Sequence, residues 1–239
     1  MHLSTGNFDA VIVDLDGTMI DTLSDFELAL NLMLADFNSA PAERSFIESA
    51  IGQGSENLVR RTLQFIKNRA LTQVNTTQVA IKSIVFEVAL ERYQHHYMAV
   101  NGQASQVYPG VVEGLKAWHA AGLKMACLTN KPSAFALPLL KLKGLDSYFG
   151  HVFGGDAFER KKPDPLPLLK TCEALGTQPA RTLMVGDSSN DAQAAHAAGC
   201  PVALVSYGYN HGEPIRTVPA NWHVDSFTQL AALLGTCLA

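Results

Sequence analysis

The chain has 239 residues, with 18 Lys plus Arg against 22 Asp plus Glu and a net charge of -4. Hydrophobic residues make up 47%, which excludes wholesale disorder, and the absence of a basic stripe argues against nucleic acid as a partner. No apolar run approaches about 18 residues, and Met1 to Phe8 is polar without a positive start, so neither a membrane span nor a signal peptide is expected.

Ala10 to Val13 is β-branched and continuous, and predicts a buried strand ending at a carboxylate. From Leu23 to about Gln106 the pattern is helical. Phe26, Leu30, Met33, Leu34 and Phe37 recur at helix spacing, with Ser24 and Glu27 placed as a capping box. A short helix over Arg44 to Ala50 and a third over Ser55 to Ala70 follow, then a polar loop over Thr72 to Gln78 and a long helix over Val79 to Met98. After Tyr108-Pro109-Gly110, strands at Lys124–Leu128, Val152–Phe153, Thr182–Val185 and Val202–Val205 alternate with helices. The helices are Val111–Ala120, Ser133–Lys143, Pro165–Ala174, Asp191–Ala198 and Phe227–Leu234. Such alternation predicts an α/β fold: a Rossmann-like parallel sheet covered on both faces. The core is expected over residues 1–22 and 107–239, with an all-helical cap domain inserted over 23–106. Cys127, Cys172, Cys200 and Cys237 form no CxxC pair, so free thiols in a reducing cytosol are expected, and with them a cytoplasmic location.

Ligands of open parallel sheets sit beyond the carboxyl ends of the strands. Four polar sets fall there: Asp14-Leu-Asp16-Gly17-Thr18, Thr129-Asn130-Lys131-Pro132, Lys161-Lys162-Pro163, and Gly186-Asp187-Ser188-Ser189-Asn190-Asp191. Two carboxylates about 4 Å apart repel by roughly 4 kcal/mol at an effective dielectric near 20. Asp14 and Asp16, joined by Asp187 and Asp191, therefore call for a cation. All-oxygen ligands select a hard divalent ion, Mg²⁺. Lys162 adds a fixed positive charge suited to phosphate oxygens. An aspartate is already anionic at pH 7 and can attack phosphorus without a general base. Asp16 is placed to protonate the leaving oxygen and then deprotonate a water. Thr129, Asn130 and the backbone around Asp16, Gly17 and Thr18 are candidates to hold the phosphoryl oxygens.

These four motifs, in this order, resemble those of the haloacid dehalogenase superfamily. The resemblance spans nearly the whole chain, including the position of the helical cap. Thr129-Asn-Lys-Pro, Gly154-Gly-Asp, Lys161-Lys-Pro-Asp-Pro, Ala197-Ala-Gly-Cys and Tyr207-Gly-Tyr-Asn further resemble bacterial phosphoglycolate phosphatases. The resemblance implies Asp14 as nucleophile and Asp16 as acid/base. It implies Mg²⁺ on Asp14, the carbonyl of Asp16 and Asp187, and phosphate on Thr129 and Lys162. Asp191 would orient Lys162 or a metal-bound water. Dehalogenases and phosphonate hydrolases of this fold lack a carboxylate at the Asp16 position, so its presence favours phosphate esters. The implied activity is hydrolysis of a small phosphate monoester, 2-phosphoglycolate first. A phosphosugar mutase, or a phosphatase of another small metabolite, is the alternative on the same fold. A phospho-accepting signalling receiver fits poorly, because its acceptor lies mid-chain and it lacks so large a helical insertion.

A carboxylated phosphate needs a second anion site, and the cap must supply it. Gly52-Gln53-Gly54-Ser55 opens a helix whose free N–H groups are one candidate, the alternative being a plain loop. On that helix Arg61 lies at the edge of the apolar face and Arg60 farther round. Arg61 is therefore the candidate substrate residue beside Gly54 and Ser55, the alternative being that both arginines are surface charges. Asp21 is placed either at the hinge to the cap or as a helix N-terminal charge. The expected partner is a small phosphorylated metabolite, and the sequence leaves monomer and homodimer open.

Overall fold

The computed structural model describes residues 8–72 and 84–235. Six parallel strands form the sheet: β1 (Ala10–Val13), β4 (Lys124–Leu128), β5 (His151–Phe153), β6 (Thr182–Gly186), β7 (Val202–Val205) and β8 (Trp222–Val224), in the order β5-β4-β1-β6-β7-β8. β1 is central, pairing Val13 with Cys127 of β4 and with Val185 of β6.

Alternate residues of a strand face opposite sides, and the two faces of β1 are both apolar. Val11 and Val13 join a cluster with Leu115, Trp118, Leu139 and Phe227, from α5 (Val111–Ala120), α6 (Ser133–Leu142) and α9 (Phe227–Gly235). Ala10 and Ile12 join Leu168, Cys172, Ala194 and Ala195, from α7 (Leu166–Leu175) and α8 (Ser189–Ala198). Burying each large aliphatic side chain contributes about 1.5–3 kcal/mol, so a strand apolar on both faces belongs at the middle of the sheet. Its carboxyl end is then the middle of one sheet edge.

Among the described residues, four helices lie between β1 and α5: α1 (Leu23–Asp36), α2 (Arg44–Ala50), α3 (Ser55–Thr72) and α4 (Phe86–Val100). They share a separate core of Phe26, Leu30, Met33, Leu34, Tyr93 and Tyr97, onto which Phe135 and Tyr209 also pack. The chain enters and leaves this helical unit through a two-stranded antiparallel ribbon, β2 (Ile20–Asp21) with β3 (Gln106–Val107). No helix among the described residues is long and apolar enough to cross a membrane.

Several details differ from the sequence expectations. The ribbon and β8 escaped notice because strands of two or three residues carry too little alternation to read. The Ser24–Glu27 capping box does not form: α1 is capped at Thr22, and both side chains instead receive hydrogen bonds from Arg44. A capping box does form at α8, between Ser188 and Asp191. The described part of the fourth helix starts at Phe86, with Val85 as N-cap. Residues 73–83, which hold most of the expected loop and the expected helix start at Val79, lie outside the described residues, as does Cys237. Cys172 and Cys200, unrelated by spacing, meet with their sulfurs 4.0 Å apart.

Candidate active site

The carboxyl ends of β1, β4 and β6 and the loop before α7 converge on one cleft, closed from above by the loop between α2 and α3. Asp14 follows directly on β1 and keeps that strand's register, its N–H donating to the carbonyl of Val185 at 2.9 Å. Its carboxylate accepts a hydrogen bond from Lys162 Nζ at 2.8 Å. Burial, reinforced by Asp191 and Asp16 and opposed by Lys162, pushes the Asp14 carboxyl up to about 7.

Lys162 also donates to Asp191 Oδ1 at 2.7 Å and to the carbonyl of Leu128 at 2.7 Å. All three of its N–H groups therefore have partners. Burial opposes its charge, but the carboxylates of Asp14 and Asp191 outweigh burial and raise its pKa. Asp191 is held from the other side, its Oδ2 accepting the N–H and hydroxyl of Ser188 through the α8 capping box.

Asp187 follows β6, and burial, with Asp191 and Asp14 close by, raises its pKa well above the usual carboxylate range. It accepts hydrogen bonds from Thr18 Oγ1 and from the N–H of Tyr209. Gly17 makes this packing possible. Its φ is +81°, and a Cβ there would come within 2.1 Å of Asp187 Oδ2. Asp16 points elsewhere, accepting hydrogen bonds from Thr22 Oγ1 at 2.8 Å and from Lys131 Nζ at 2.9 Å.

The buried carboxylates of Asp14, Asp187 and Asp191 come within 4.8 Å of one another. The residues lining the cleft include four aspartates and only two lysines, a formal excess of two negative charges. Two of the aspartates are already pushed toward protonation. An all-oxygen donor set in a cleft with a formal charge of minus two fits a hard divalent cation.

Not every sequence candidate faces the cleft. The N–H of Gly17 donates to the carbonyl of Ile20, and Thr18 is fully buried with its hydroxyl on Asp187. Both therefore build the loop, and neither is among the residues that line the cleft. Thr129 does line it. Asn130 lines it too, but its side-chain amide is held by the carbonyls of Gly52 and Lys162, at 3.1 and 2.9 Å. Gly54 and Ser55 reach the cleft from the helical unit. Arg61 does not. Its guanidinium donates to the carbonyl and hydroxyl of Ser49, at 2.6 and 3.5 Å, and fastens α3 to the last turn of α2. The expectation that Arg61 reaches the substrate is corrected by this pairing: the arginine lies at the edge of the apolar face, but that edge meets α2. Arg60 is exposed and covers the ring of Phe86.

Three features were missed. Lys131 is buried with its ammonium against Asp16, the Tyr97 hydroxyl and the rings of Phe26 and Tyr97. Its only signal was its place in the Thr129 motif. Tyr209 is the second. Its hydroxyl receives the N–H groups of Thr22 and Leu23 and donates to Asp21, so one side chain ties the entry to α1 to the core. Asp21 also accepts the N–H of Leu23 at 3.2 Å, which joins the hinge and helix-terminus readings. The third is a grip on the loop before α3: Asn130 and Asn190 both donate to the carbonyl of Gly52, and His211 lies 3.0 Å from that of Ile51.

The family model for haloacid dehalogenase-like hydrolases matches residues 8–199. The chain belongs to that family. A phosphoglycolate phosphatase of Thiobacillus denitrificans is 41% identical over 94% of this chain and 95% of its own length. The phosphoglycolate phosphatase of Haemophilus influenzae strain Rd is 36% identical over 95% and 98%. Among solved structures, a predicted phosphoglycolate phosphatase of Haemophilus somnus superposes with a TM-score of 0.86 at 32% identity, covering 94% of this chain and 96% of that one. As a member of this family the protein is a hydrolase, and its buried aspartate group could hold a metal.

Proposed function

We propose that this protein is a Mg²⁺-dependent phosphatase that hydrolyses 2-phosphoglycolate to glycolate and phosphate through an aspartyl phosphate on Asp14. The observation that carries the reading is the pairing of a buried aspartate with a fully partnered lysine at the end of the central strand, 2.8 Å apart, in a chain 41% identical to a phosphoglycolate phosphatase.

One Asp14 oxygen bonds to phosphorus as the bond from phosphorus to the ester oxygen breaks. Asp16 acts as the general acid toward that oxygen, and glycolate leaves. A water then attacks the phosphorus of the aspartyl phosphate while Asp16 takes its proton. Phosphate departs and Asp14 is regenerated. Lys162 and Thr129 hold phosphoryl oxygens, and Asp191 fixes Lys162 in place. Asp14, Asp187 and the Asp16 carbonyl would hold the divalent ion, which would supply the charge neutralisation an anionic nucleophile needs to meet an anionic phosphate.

The helical unit, residues 23–106, acts in this reading as a cap over a core of residues 1–22 and 107–239. The cleft encloses a cavity of about 30 Å³, roughly two water molecules' worth. 2-Phosphoglycolate is larger than that space, so in this reading the cap must part to admit it. The test is phosphate release with Mg²⁺ over about a hundred phosphorylated metabolites, ranked by kcat/KM. The expected result is 2-phosphoglycolate at the head. A different ester ahead by tenfold would replace the substrate, and isomerised sugar phosphate without free phosphate would replace the reaction.

A further inference from the structure

A phosphorylated acid brings two anionic ends into the cleft, and the core chemistry accounts for one. Lys162 is held by Asp14 and Asp191, and Arg61 is held by Ser49 outside the cleft. Among the described residues that line the cleft, the remaining cation is Lys131.

Its surroundings are unusual for a lysine. The residue is 4% exposed. Its Nζ lies 2.9 Å from Asp16 Oδ1 and 2.5 Å from the Tyr97 hydroxyl. The rings of Phe26 and Tyr97 sit 4.5 and 4.6 Å from it. Aromatic faces favour a cation without neutralising it. In so dry a site an ammonium pairs strongly with any anion that reaches it. Two of its three N–H groups point to Asp16 and Tyr97, which leaves one for a further acceptor.

We propose that Lys131 binds the carboxylate of the substrate and selects esters in which that carboxylate is attached to the carbon bearing the ester oxygen. The inference rests on the phosphatase reading above. Asp16 must approach the ester oxygen within hydrogen-bond distance to protonate it, and Lys131 stands one hydrogen bond from Asp16. In 2-phosphoglycolate the carboxyl carbon is two bonds from the ester oxygen. The spacing between the two protein groups therefore matches the spacing between the two substrate groups. Lys131 comes from the core, whereas Phe26 and Tyr97 come from α1 and α4. The pocket around its ammonium is therefore complete only with the cap in place.

The test compares 2-phosphoglycolate, ethyl phosphate (the same skeleton without the carboxylate) and 3-phosphooxypropionate (one carbon longer), at saturating Mg²⁺. The readout is the ratio of kcat/KM for each acid to that for ethyl phosphate within one preparation, so that any misfolded fraction cancels. In the wild-type protein 2-phosphoglycolate should exceed ethyl phosphate by a hundredfold or more and the longer acid by at least tenfold. Lys131→Met should cut the first ratio thirtyfold or more, chiefly through KM. Tyr97→Phe, which keeps the ammonium and loses one of its anchors, should cut it three- to tenfold. Equal losses on 2-phosphoglycolate and ethyl phosphate in Lys131→Met would make Lys131 a support for Asp16 alone and overturn the proposal while leaving the phosphatase reading intact. A wild-type protein without preference for the shorter acid would overturn it even if the variants fail to fold. Release of phosphate from none of the three would overturn the reading and the proposal together.

Discussion

The two walls of the cleft are built on different principles. On the core wall each functional group follows a buried strand directly or sits in a loop beside one. Asp14, Thr129 and Asp187 are aimed by the sheet itself, whose register fixes them relative to one another. On the cap wall Gly54, Ser55, Phe26 and Tyr97 come from three helices and a loop, and what each faces depends on how the helices pack. In the reading proposed above, the groups aimed by the sheet carry the chemistry, and selectivity arises where Phe26 and Tyr97 of the cap close around Lys131 of the core. Substitutions of Asp14 or Asp187 should cost turnover on every substrate, and those at or around Lys131 should divide one substrate from another.

The largest expected effect tests the first half of that contrast. Asp14→Asn keeps the side-chain volume and removes the attacking oxygen's charge. It should lower kcat by three orders of magnitude or more on every ester, as expected when a covalent route is lost. Retention of more than about a tenth of wild-type kcat in the folded variant would remove Asp14 as nucleophile.

Next in size is the metal. Chelation should abolish turnover and Mg²⁺ should restore it, and Asp187→Asn should raise the half-saturating Mg²⁺ concentration tenfold or more. A stability signature accompanies this. Folding lifts the Asp14 carboxyl to about 7, far above its ordinary range, and Asp187 moves in the same direction. A raised folded-state pKa contributes stability that is complete at acid pH and lost as pH climbs through 7. The melting temperature in chelator should therefore fall between pH 5 and 8, and Mg²⁺ should largely remove that fall. A pH-independent melt in chelator would mean that these carboxylates are neutralised by other means.

The core wall was legible because strands announce themselves. The short apolar runs leading to Asp14 and Gly186 name both the sheet and its reactive edge. What was missed there has a physical reason too. Gly17 and Thr18 look like phosphate-loop residues in sequence, but the left-handed turn at Gly17 directs the Thr18 hydroxyl toward Asp187. The cap wall was legible only as helices. Periodicity placed Arg61 correctly on its helix and could not say which neighbour that edge meets. Lys131 stood in plain sight within a motif, but a lysine's burial depends on partners far away in sequence, here Asp16 and Tyr97.

Tyr209 joins the two walls and should give an intermediate result. Its hydroxyl receives the N–H of Thr22, and the Thr22 hydroxyl in turn holds Asp16. Tyr209→Phe leaves a buried donor unsatisfied, at a cost of about 1–3 kcal/mol. It should lower kcat about tenfold on charged and uncharged esters alike, because the acid/base is misplaced before any carboxylate is read. A loss confined to 2-phosphoglycolate would move Tyr209 to the selectivity side of the contrast.

Arg61 gives the smallest effect and the sharpest test of the boundary between structure and selectivity. Its two hydrogen bonds join α3 to α2, and hydrogen bonds from charged groups contribute about 1.5–3 kcal/mol at most when buried. Arg61 is only half-buried, so about 1 kcal/mol is the reasonable scale for Arg61→Met. For a chain of this length that corresponds to a fall in melting temperature of roughly 2–4 °C. Because the guanidinium faces Ser49 and lies outside the cleft, kcat/KM should change less than threefold, and equally for 2-phosphoglycolate and ethyl phosphate. A tenfold rise in KM for the acid alone would return Arg61 to the substrate and would require α2 and α3 to separate when the cap opens. The Lys131 ratio measured in the same background would then show whether two cations share the carboxylate.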